Sequence, residues 1–173
     1  MPTASPDLLE ADGTLVHDGR VRRGAFRLPF RTPGFEAADL TGLGACVPFL
    51  RLRQRFWFGY AVNHPDVYLA TIAIDLGVAT ISALYFFERA TNTYGEHTSF
   101  TLDPRRGRVA SNPWDDRSLV EAPGHRVAYR HWLDRARHEV SIDVAATRDA
   151  PAVRAEVVMH EDLATVTPLV TSL

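Results

Sequence analysis

From Leu50 to Val62 the chain alternates residue by residue. The even positions hold Leu50, Leu52, Gln54, Phe56, Phe58, Tyr60 and Val62, and the odd positions hold Arg51, Arg53, Arg55, Trp57, Gly59 and Ala61. A period of two puts these sets on opposite faces of a strand, one almost wholly apolar and the other carrying the arginines; a helix would scatter the arginines around its surface. Asn63–Asp66, with Pro65, supplies a turn. Val67–Ile74 is apolar on both faces and is expected to be a central strand. Asp75-Leu76-Gly77 breaks the run, Val78–Glu88 resumes it, Arg89–Thr93 turns the chain and Tyr94–Leu102 returns. Such short connections predict an antiparallel meander.

Asp103–Gly124 is interrupted by Pro104, Gly107, Pro113, Pro123 and Gly124 and reads as loop. Strands are expected again at Arg126–Leu133, at Arg137–Ala145, where Val140, Ile142 and Val144 alternate with Glu139, Ser141 and Asp143, and around Val153, Ala155, Val157 and Met159. Val166–Leu173 begins one more. Residues 1–44 are punctuated by Gly13, Gly19, Gly24, Pro29, Pro33 and Gly34 and read as an extended lead-in, with short strands at Thr14–Val16 and Ala25–Phe30. The pattern predicts an all-β fold with few short helices: a meander of about seven to nine strands forming a barrel or a strongly curled sheet, because closure removes exposed edges.

The 173 residues suit one large domain or half of a larger protein. A net charge of −2 gives no reason to expect a nucleic acid or an anionic membrane as partner. All 19 basic residues are arginine, which fits a GC-rich bacterial genome and excludes a lysine Schiff base, pyridoxal phosphate attachment and a P-loop lysine. Cys46 is the single cysteine, so no internal disulfide, cysteine-based zinc site or iron–sulfur cluster is expected, in keeping with a reducing, cytoplasmic compartment. The first ten residues lack the basic and apolar regions of a signal peptide, and Asp75 and Glu88 break the longest apolar stretches, so no membrane-spanning helix is expected.

The run from Arg51 to Glu88 resembles the family called domain of unknown function 2804. The resemblance extends to a Gly-rich opening at Asp12-Gly13 and Gly19–Pro29, the basic-plus-tryptophan strand Arg53–Trp57, the Asp-Leu-Gly turn ending Ile74–Gly77, and the Pro/Gly loop Leu102–Gly107. Val78 stands where the family usually has an aromatic residue, and Gln54 and Arg55 where it often has lysine. Members are usually about twice as long. The resemblance therefore implies that residues 45–173 are a lipocalin-like barrel, the first of two, with a second β-barrel domain or partner chain beside it. That family is similar in plan to two-barrel lipocalin-like carotenoid hydratases and polyene cyclases, which implies a greasy cavity for an isoprenoid, acyl or polyketide ligand.

Three functions remain open: binding of a hydrophobic small molecule; an enzyme acting on a polyene or isoprenoid by proton transfer, of hydratase, isomerase or cyclase type; and a structural β domain packing on a partner barrel. Asp75 is the candidate acid, since a buried carboxyl has a raised pKa and can donate a proton; the competing reading is a turn with Gly77. Trp57, Tyr85, Tyr129 and Trp132 are candidate cavity aromatics. Arg55, in the stripe with Arg51 and Arg53, could meet a ligand carboxylate at a pocket mouth. His131 is a further candidate ligand contact and could meet His138 across the Asp134–Ala136 turn. None of the seven histidines sits in a HExxH motif, and no metal or other cofactor is expected. Asp75→Asn separates the two readings of that residue: it keeps a turn intact, so stability stays within about 0.5 kcal/mol by urea unfolding, and it abolishes any acid-dependent turnover.

Overall fold

The computed structural model describes residues 9–11, 13–32, 34, 38, 55–163 and 169–170. The fold is all-β. Three two-residue strands open it, β1 (Val16–His17), β2 (Arg20–Val21) and β3 (Gly24–Ala25). A four-strand meander follows: β4 (Phe56–Asn63), β5 (Val67–Asp75), β6 (Thr80–Glu88) and β7 (Thr93–Thr101). A second meander holds β8 (Gly107–Arg108), β9 (Asp116–Ala122), β10 (His125–Trp132), β11 (Arg137–Val144) and β12 (Val153–His160). The last strand, β13 (Leu169–Val170), pairs with β3. One 3-10 turn, Leu133–Arg135, links β10 to β11.

Among the described residues every pairing between named strands is antiparallel, while two isolated bridges, Leu9–Phe26 and Thr14–Thr32, are parallel; the two large sheets run β4-β5-β6-β7 and β12-β11-β10-β9-β8. Their apolar faces meet. The core joins Leu69, Ala73, Leu84 and Phe86 of the first sheet to Val120, Val127, Tyr129, Val140, Ile142 and Val144 of the second. Each of these stands at alternate positions of its strand, so one apolar set per strand is enough to fill the space between two facing sheets. On one side β7 lies beside β9. On the other, β4 and β12 end their sheets and pair with no further strand among the described residues.

The expected strands hold within a residue or two where they are described; residues 50–54, Cys46, and the arginines at 51 and 53 lie outside the described residues. Two expectations fail. Asp103–Gly124 contains the strand β9 as well as β8. Its inward side is Ser118 and Val120 and its outward side Arg117, Leu119 and Glu121, so a polar inward residue and an apolar outward one hide the period of two. The lead-in strand at Ala25–Phe30 shortens to Gly24–Ala25. Beyond it the chain bends so that Phe26 and Phe30 pack edge to face, ring centres 4.7 Å apart, and Trp114 of the second meander donates its indole N–H to the Pro29 carbonyl at 3.1 Å.

Close packing of the interior is visible at Gly95. It stands opposite Phe86 on the neighbouring strand, and a Cβ added there would overlap Cε1 and Cζ of that ring. Gly95→Ala should destabilise the domain by about 1–3 kcal/mol through overpacking. The check is a lower urea midpoint with an unchanged slope.

Candidate functional site

The inward faces of β4 and β12 are less covered than those of their neighbouring strands. Phe56, Phe58, Tyr60 and Val62 of β4, and Val153, Ala155, Val157 and Met159 of β12, all point inward, yet all are only half-buried. Inward residues of the neighbouring strands β5 and β11, such as Leu69, Ala73, Val140 and Ile142, are buried. Among the described residues these two edge strands do not bond each other, and their half-buried inward side chains form an apolar seam along the side of the sandwich.

Polar groups lie at the inner side of this seam. Tyr60 Oη is 2.9 Å from His131 Nδ1, and His131 Nε2 is 3.1 Å from Ser118 Oγ, which accepts the Ala110 backbone N–H at 2.9 Å. Thr71 Oγ1 and Tyr129 Oη form a second bond between the sheets at 2.7 Å. The His131 ring is 4.3 Å from Phe58 and 5.8 Å from His138, its direct partner across the β10–β11 ladder. Tyr60 also meets the His138 ring at 5.4 Å.

Burial selects the direction of this chain. Ser118 is 1% exposed, so its hydroxyl hydrogen needs an acceptor, and an unmet buried donor costs about 1–3 kcal/mol. If Ser118 donates to His131 Nε2, then His131 Nδ1–H donates to Tyr60 Oη, and every buried donor in the chain is used. The Tyr60 hydroxyl hydrogen is left over, on the side chain nearest the seam. The opposite tautomer would strand the Ser118 hydrogen instead.

Both rings are held uncharged. Burial, reinforced by the nearby His138, pulls His131 down to about 4, against a smaller upward pull from Asp116. Burial pushes the Tyr60 hydroxyl far above its ordinary value, with Glu161 and Tyr129 adding to it, and pushes Tyr129 up to about 12 against the opposing Thr71 bond. His138 is lowered by burial, with Glu161 opposing. Its Nδ1 is buried without a hydrogen-bond partner, as is Ser82 Oγ. Among the described residues no three His, Cys, Asp or Glu side chains are grouped to hold a metal.

The sequence candidates divide by face. Tyr129 and His131 come together inside, and His131 does meet His138. Trp57 is 65% exposed on the outer face of the first sheet, where Tyr85 also lies half-buried. Trp132 is on the outer face of the second sheet, between the guanidinium groups of Arg130 and Arg135. Arg55 is exposed immediately before β4. Asp75 accepts the Gly77 backbone N–H at 2.6 Å, and Gly77 has φ +81°; this is the geometry of the turn reading. Tyr60, Thr71 and Ser118 were not among the candidates. Tyr60 carries a signal in the sequence, a hydroxyl on the apolar face of its strand, whereas Ser118 was concealed in the segment read as loop.

The low His131 value has a consequence for stability. The unfolded state takes up a proton near the ordinary pKa of 6.5, and the folded state only near 4. His131 therefore does not penalise folding above pH 6.5. Stability falls as pH drops from 6.5 towards 4 and levels off below, by about 3 kcal/mol for this group. Urea midpoints across that range should show the slope, and His131→Asn should remove most of it while lowering stability at pH 7.

A family profile described as Domain of unknown function (DUF2804) matches residues 2–172. No curated protein and no solved structure matches the chain. The profile covers nearly the whole sequence, so the chain belongs to the DUF2804 family.

Proposed function

We propose that the domain binds a hydrophobic small molecule carrying one uncharged polar group, with the chain of the ligand along the β4–β12 seam and its hydroxyl or carbonyl at Tyr60. The observation that carries this reading is the seam itself, where two rows of inward apolar side chains stay half-exposed beside a buried, satisfied polar chain with one spare donor. An isoprenoid, acyl or polyketide chain has the matching chemistry. The neutral state of Tyr60 and His131 disfavours a ligand carboxylate, whose charge would find no cation in the chain. Proton transfer from Asp75 gains less support. Its carboxyl is engaged by Gly77, and it lies four residues along β5 from Thr71, about 13 Å at strand spacing.

A matched series of one chain length tests the reading by calorimetry: hydrocarbon, alcohol and carboxylate. The alcohol should bind best, and Tyr60→Phe should weaken it about tenfold, or about 1.4 kcal/mol, while leaving the hydrocarbon unchanged. Equal binding of all three, or no binding together with no lipid extractable from the purified protein, rejects the proposal.

A second reading, packing against a partner β domain, is favoured by the outer face of the first sheet. Trp57, Ile74, Ile81 and Phe100 form one cross-strand row and Tyr68, Phe87 and Tyr94 another, with Trp57, Phe100 and Tyr94 each more than half exposed. A surface of this kind exceeds the scattered apolar residues of an ordinary monomer.

A further inference from the structure

The outer face of the second sheet carries a different feature. A groove of about 450 Å³ is lined by Arg105, Arg108, Arg117, Arg126 and Arg130, with Leu119 and Ala128 between them. These arginines come from four places, the turn before β8, then β8, β9 and β10, so the fold and not one local run gathers them. The chain as a whole has a net charge of −2, so the concentration is not an average property of its surface.

Arg117 and Arg130 are direct partners across the β9–β10 ladder. Like charges directly opposite each other destabilise a sheet, and among the described residues Arg117 makes no ion pair within 4 Å. The nearby carboxylates are largely committed. Asp116 holds Arg108 at 2.6 Å, Glu121 lies 3.7 Å from Arg126, and Glu139, opposite Arg130, is taken by Arg137. Asp115 and Asp116 line an adjoining depression with Arg117, Arg130 and Trp132, without reaching ion-pair distance of Arg117. Arg130 rests over the Trp132 ring at 5.1 Å. The neighbours that hold Arg108, Arg126 and Arg130 therefore fix three guanidinium groups around the groove, while Arg105 and Arg117 have no acidic partner among the described residues.

We infer that this groove is an anion site for a phosphoryl group. Guanidinium groups approaching from several elements suit a tetrahedral group with several acceptor oxygens; a planar carboxylate is satisfied by a single fork. The volume is that of a small-molecule site. An anion seated between Arg117 and Arg130 would remove the repulsion that the register imposes, so binding and stability are linked. The site is on the opposite face of the sheet from the seam and does not depend on the reading given for it.

The phosphoryl group can belong to a soluble molecule or to a lipid headgroup, and two arms separate these sources. In the first, inorganic pyrophosphate is titrated into the protein by calorimetry at low salt. In the second, the protein is sedimented with phosphatidylcholine vesicles with and without phosphatidic acid. Expected is one-to-one pyrophosphate binding, weakened at least tenfold in Arg117→Gln and unchanged in Arg154→Gln, which lies outside the groove. Without anion, Arg117→Gln should melt at the same temperature as the parent or higher, since it relieves the like-charge pair. Binding to pyrophosphate alone supports a soluble ligand. Sedimentation that requires phosphatidic acid and is lost in Arg117→Gln supports a headgroup. Absence of binding in both arms, or binding that Arg117→Gln leaves intact, overturns the inference.

Discussion

Two side-chain bridges join the facing sheets beside the seam, and the geometry of the site depends on them. The Tyr60–His131–Ser118 chain and the Thr71–Tyr129 pair tie the first sheet to the second. Apolar packing alone is non-directional and would allow one sheet to slide over the other. A hydrogen bond in a low-dielectric interior is stronger and has a direction, and the penalty for breaking it is high because the partner is left unmet. The bridges thus fix how β4 and β5 sit over β9 and β10, and so fix where the open side falls.

The same bridges explain why ionisation is suppressed at this place. A charged imidazole between Phe58, Tyr60 and Tyr129 would face aromatic rings and a second imidazole, with Asp116 as its one acidic influence. Neutral dipoles are the cheaper solution in such an environment.

Much of the fold was legible because one side of each strand is buried and the other is not. Phe56–Val62, Val140–Val144 and Val153–Met159 show the period of two plainly, and these are the strands that flank the core and the seam. β9 was not legible, since Ser118 points inward to bond His131 while Leu119 points outward, a reversal of the usual pattern that serves the polar chain. The candidate site was legible only in part. Sequence can show that Tyr129 and His131 lie on one face of a strand, but that Tyr60, 71 residues earlier than His131, comes to meet them is set by the stacking of two sheets. Trp57, Tyr85 and Trp132 were singled out as aromatic residues on strands, and parity alone does not say which parity is the inner one when both faces carry large side chains.

The outer rims of β4 and β12 bear on how the molecule behaves in company. Among the described residues no strand pairs with either, and an edge strand in that position presents a row of backbone donors and acceptors to an extended segment that comes alongside. On β12 the outward residues Arg154 and Glu156 place charge near that rim, a common guard against indiscriminate sheet growth. The outward residues of β4, Trp57, Gly59 and Ala61, supply none. Of the two rims, the one without charged outward residues is that of β4, which is also one lip of the seam.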